Sequence, residues 1–129
     1  MKAKEGVSML SALKLTQEEL KLILKGRKSV RLEDKPLPNK LVGKWMVLTT
    51  RVGCEDKAYG LVQFEKSKAY STRKDFIEDH HAHLSLFSRE HGINRSNASW
   101  TERFGWKIHR VISFQKPLRV YCRPIKFNF

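Results

Sequence analysis

Long apolar runs are missing from this chain. Nowhere in its 129 residues does a stretch approach the roughly 18–20 apolar residues that a membrane-spanning helix requires, so no membrane partner is expected. Cysteine is scarce as well. Cys54 and Cys122 stand far apart, outside any Cys-x-x-Cys spacing. A single disulfide stays geometrically open, but a reduced chain is the simpler reading. The segment from Met1 to Gly6 is polar and charged and lacks the apolar stretch of a secretory leader. Secretion is therefore not expected, the Asn94 and Asn97 sequons carry no meaning, and a cytoplasmic or nuclear location follows. Acidic residues are also few, 13 against 26 Lys and Arg.

The resulting formal charge of +13 is the dominant composition signal. Solubility of a small domain needs only a few net charges. The excess points to a polyanionic partner, because each Lys or Arg that meets a phosphate releases condensed counterions. RNA or single-stranded nucleic acid is the expected partner, ahead of an acidic protein. The hydrophobic fraction of 40% supports one modest core and excludes wholesale disorder. The organisation expected is a flexible basic tail over residues 1–7 and a single domain over 8–129.

Local patterns give the element order. Met9 to Leu15 has strand character. Thr16-Gln17-Glu18-Glu19 is a capping box that opens a helix with Leu20, Ile23 and Leu24 on its apolar face and Gly26 as its stop. Arg27 to Asp34 alternates as a strand and is ended by Pro36 and Pro38. Trp45–Thr50 and Ala58–Phe64 are the next strands, followed by a helix from Phe76 to His91 ending at Gly92. Gly105–Phe114 and Leu118–Cys122 are strand-like, separated by Pro117. Strand, helix, several strands, helix and strands again make an α+β, mainly β chain, expected as a small barrel with flanking helices.

At Leu24-Lys25-Gly26-Arg27-Lys28-Ser29-Val30 a capped helix runs through Gly-x-Lys-Ser into a strand. This resembles the opening motif of ASCH domains, relatives of the PUA domains. Trp45-Met46-Val47-Leu48, Tyr59-Gly60-Leu61-Val62, His91-Gly92, Phe104-Gly105-Trp106-Lys107-Ile108 and Pro117-Leu118 agree with that family in order, over roughly Leu10 to Val120. The resemblance implies a PUA-like β-barrel with a cleft beside the Gly-x-Lys segment. It also implies RNA binding, or, for some small members, an amidohydrolase acting on acetylated cytidine. In the hydrolase type a hydroxyl stands three residues after the lysine. Here that residue is Arg31, with Glu33 two residues on. A guanidinium stays protonated and is no nucleophile, so an enzyme is disfavoured.

The nucleic-acid contacts expected are Lys28, Ser29, Arg31, Arg51, Trp100, Lys107 and Arg110. Lys28 and Arg31 would meet phosphate or a base edge, and Ser29 would donate a hydrogen bond. Two basic stretches contribute: Lys21 to Arg51 holds nine basic residues against two acids, and Trp100 to Phe129 seven against one. Trp100, in a polar loop, is a stacking candidate, whereas Trp45 and Trp106 read as core or cleft lining. The hydrolase alternative would use Ser29 as nucleophile, Lys28 as base and Glu65 or Glu90 as carboxylate. An acidic-protein interaction module is the remaining alternative. His80 and His83 have helical ligand spacing, but no HExxH pattern accompanies them. They read as a helix surface, and no metal or cofactor is expected.

Overall fold

A computed structural model of the chain describes residues 10–52, 55–88, 90–93 and 100–119, without the side chains of Arg51, Val52 and Glu55. The tail expected over residues 1–7, both cysteines and the sequons lie outside the described residues.

Thr16 caps helix α1 (Gln17–Leu24), its hydroxyl accepting the Glu19 N–H at 3.1 Å. Leu20 and Ile23 are the buried residues of this helix, each worth about 1.5–3 kcal/mol on burial. The helix ends as expected at Gly26, whose φ of 74° is left-handed. Gly26 N–H donates to the Ile23 carbonyl and Arg27 N–H to that of Leu22, a paired closure that glycine favours. Lys28 N–H donates to the same Leu22 carbonyl, and Ser29 N–H to the Ala82 carbonyl. The Gly-x-Lys segment is thereby pinned between two helices.

Five strands form one mixed sheet: β1 (Ala12–Lys14), β2 (Val30–Glu33), β3 (Trp45–Val52), β4 (Glu55–Tyr70) and β5 (Arg103–Arg119). Their order is β1-β3-β4-β5-β2. The β1–β3 pair is parallel and the other pairs are antiparallel. The α+β class therefore holds. The two edge strands do not pair with each other among the described residues, so the sheet is open where a closed barrel was expected. Alternation along β3 buries Met46 and Leu48, and these join Leu13, Leu20, Ile23, Phe64 and Trp106 in the main core.

The two strand runs expected around Pro117 are one strand, β5. Proline has no N–H for the ladder, and the ladder adjusts to it. Gly60 pairs with Ser113 and Ala58 with Leu118, a register shift that leaves Pro117 in the irregular stretch.

The helix expected from Phe76 to His91 is much shorter. It consists of α2 (Arg73–Glu78) and the single turn α3 (His80–His83), stopped by Leu84 in the left-handed conformation, φ 52° and ψ 31°. Beneath them Leu32, Tyr70 and Phe76 form a second apolar cluster. His83 is buried in this region, stacked on Phe76 with ring centroids 4.2 Å apart. That corrects its reading as a helix-surface residue. Among the described residues no helix is long and apolar enough to cross a membrane.

Candidate functional site

Beside the Gly-x-Lys segment lies a cavity of about 670 Å³, between the start of α1 and the chain that leaves α3. At its floor Lys28 is buried, 5% exposed. Its ammonium donates to Ser85 Oγ at 2.8 Å and lies 3.4 Å from a Glu19 carboxylate oxygen. Burial pushes the Lys28 pKa down from the usual lysine value, Glu19 opposes that shift, and Arg31 reinforces it.

Arg31 donates to Glu19 at 2.8 Å and to Glu33 at 2.9–3.0 Å. Its charge is thus committed to two carboxylates. Glu33 is in turn held above the ordinary carboxylate pKa, chiefly by burial, with Arg31 opposing. Both Glu19 oxygens face cations, so the carboxylate of the capping box serves the cavity. The cavity lining is not basic: two cations, Lys28 and Arg31, stand against three carboxylates, Glu18, Glu19 and Glu90.

Ser85 connects the floor to a buried histidine. Its N–H donates to His83 Nδ1 at 2.9 Å and its hydroxyl to the His83 carbonyl at 2.9 Å. Since Nδ1 accepts, Nε2 carries the proton and donates to the Phe76 carbonyl at 2.7 Å. Burial holds the His83 pKa down to about 4. With both ring nitrogens engaged, His83 has none to offer a metal. Among the described residues no group of three His, Cys, Asp or Glu side chains is placed to hold one.

The expected site residues separate into groups. Lys28, Arg31 and Glu90 line the cavity. Ser29 is exposed and does not line it; its main chain bridges α3 and β5, with Ile108 N–H donating to its carbonyl. Glu65 lies 4.0 Å from Lys107 on the β4–β5 surface. Arg110 donates to Gln63 at 3.1 Å and sits over the half-buried Trp45 ring at 5.1 Å. Arg51 pairs through its backbone with Asp56, and its side chain lies outside the description.

Trp100 donates to the Tyr70 carbonyl at 2.9 Å. Its ring face is covered by the Arg103 guanidinium at 3.8 Å. Arg103 is itself 1% exposed and donates to the carbonyls of His91, Gly92 and Thr101. It thus holds the chain around His91 against the cavity. Trp106 is core, its indole N–H donating to the Lys35 carbonyl at 2.9 Å.

No family model matches this chain, and no curated protein matches it in sequence. Its structure is similar to the crystal structure of ASCH from Zymomonas mobilis, with a TM-score of 0.64 and 13% identity, covering 83% of this chain and 71% of that one. A serine-to-alanine mutant of the same protein gives a TM-score of 0.63 at the same identity and coverage. The chain has an ASCH-type fold.

Within this ASCH-type fold, sequence reasoning located Lys28 and missed Glu19, Ser85 and His83. Glu19 has a strong local explanation as a helix cap, and nothing local signals its second use. Ser85 and His83 fall inside a segment whose periodicity reads as continuous helix. The left-handed turn at Leu84 has no glycine or asparagine to announce it.

Proposed function

We propose that the protein binds single-stranded RNA or a related unpaired nucleic acid, with two surfaces sharing the work. The cavity takes one nucleotide, and the β4–β5 surface holds the backbone. The observation that carries this reading is the register of those two strands. Lys66 stands directly opposite Lys107, and Lys57 directly opposite Arg119. Like charges at facing positions destabilise a sheet; Glu65, 4.0 Å from Lys107, offsets part of this at one pair, and a polyanion lying across the lysines turns the same placement into a binding contribution. Phosphates would meet Lys66, Lys107 and the exposed Arg110. A cavity whose carboxylates offset its cations, with a buried Lys28, Ser85 and Glu19, has donors and an acceptor for a base edge instead.

Hydrolysis at the cavity is a second reading, favoured by the 2.8 Å contact between Lys28 and a serine hydroxyl. It would use Ser85 and Glu19 in place of Ser29, Glu65 and Glu90. One feature weighs against it: Ser85 directs its proton to the His83 carbonyl, away from Lys28.

Affinity for a short single-stranded RNA and for its duplex, measured over a salt series, tests the binding reading. The expected result is preference for the single strand, with affinity falling steeply as salt rises. No salt-sensitive binding to RNA or DNA near physiological ionic strength contradicts it. Incubation with acetylated cytidine separates the second reading. Binding alone predicts no acetate release, while release abolished by Ser85→Ala establishes hydrolysis.

A further inference from the structure

Phe87 lines the cavity and is 74% exposed, the highest value among the exposed large apolar residues described. The chain around it is firmly held. Leu84 turns sharply out of α3 in the left-handed region, a conformation that costs a bulky residue energy and recurs at functional sites. Ser85 is tied to Lys28 and His83. Ser88 N–H donates to the Ser85 carbonyl at 3.1 Å, Ile93 N–H to that of Leu86 at 2.8 Å, and Gly92 N–H to that of Ser88 at 2.9 Å. Leu86 packs inward against the Tyr70 and Phe76 cluster, leaving Phe87 to project outward.

An aromatic ring mounted on a fixed loop loses little conformational freedom on docking, and its face accepts any planar base. The floor beneath the same cavity is polar: Lys28 and Ser85 lie 2.8 Å apart, with Glu19 alongside. A ligand that satisfies both needs a flat apolar face and a hydrogen-bonding edge. About 670 Å³ accommodates a mononucleotide. We infer that Phe87 is the stacking platform for the nucleobase that enters this cavity, so that the preferred ligand is an unpaired nucleotide of a single strand. The inference rests on the nucleic-acid reading above and assigns the base-recognition element within it.

The test compares two single-stranded oligomers of about ten nucleotides, one normal and one fully abasic, binding to the full chain and to its Phe87→Ala, Phe87→Leu and Phe87→Tyr variants. Stacking predicts that Phe87→Ala and Phe87→Leu each weaken binding of the normal oligomer about tenfold. Phe87→Tyr stays within about threefold of the parent. On the abasic oligomer all four proteins bind alike, and the salt slope is unchanged throughout, because Phe87 carries no charge. Equal affinity of Phe87→Ala and the parent for the normal oligomer overturns the inference while leaving nucleic-acid binding in place. A tenfold loss by Phe87→Ala that persists on the abasic oligomer also overturns it. Failure of the parent to bind either oligomer removes the underlying reading, and this inference with it.

Discussion

His83 shows how a single buried residue ties the second core to the cavity. Its ring accepts a hydrogen bond from Ser85 N–H and donates one to the Phe76 carbonyl, an arrangement that only the neutral imidazole can make. The folded pKa of about 4 lies below the ordinary value of 6.5. Between those values the unfolded chain binds the extra proton, so stability rises with pH across this window and is lost as pH falls through it. The predicted loss from pH 7 to pH 4 is on the order of 3 kcal/mol. Urea midpoints across that range measure it, and the slope should flatten in His83→Leu. An unchanged slope in that variant would assign the pH dependence to other groups. Little of this residue's role is legible in the sequence. Asp79-His80-His81-Ala82-His83 reads as a polar helix surface, because the burial of His83 depends on Phe76 and Tyr70 packing around it. Lys28 is singled out through the resemblance of its Gly-x-Lys-Ser segment to the ASCH opening motif, with the glycine stop and the following strand marking its place.

Local rules serve best where an element is closed by its own residues. Helix α1 follows its cap and its glycine stop, and β3 follows its alternation. They fail in the segment after α3, where Arg103 and Lys28 from distant parts of the chain, the latter through Ser85, hold a turn that has no local signal. The β4–β5 pair shows the same dependence on distant packing at Gly60. A Cβ there would overlap the Ile112 carbonyl oxygen of the neighbouring strand and crowd Leu24 of α1. Gly60→Ala must therefore shift β5 relative to β4, close to the register change that accommodates Pro117. The expected cost is about 1–3 kcal/mol, read as a lowered denaturant midpoint with unchanged slope. A midpoint equal to that of the parent would show that the strands are not as closely apposed as described.

At the scale of the whole molecule, a formal charge of +13 is distributed unevenly in kind. Arg31 and Lys28 are neutralised close at hand by Glu19 and Glu33. Lys66 and Lys107 face each other across β4 and β5 on an exposed surface, with Glu65 4.0 Å from Lys107. The sequence assigned the cleft and the excess charge to one basic surface. The fold separates them, because carboxylates that read as a helix cap and a strand residue converge on Arg31. Cavity and basic strands should accordingly contribute differently to binding. The most direct measurement is the salt dependence of single-stranded RNA affinity for the parent, a Lys66→Gln/Lys107→Gln double variant and Ser85→Ala. The proposed division of labour predicts that the double variant flattens the slope of log affinity against log salt by about 1.4, roughly 0.7 for each lost phosphate contact. Ser85→Ala should keep the full slope and bind about fivefold more weakly. A double variant that retains the parent slope would contradict the account.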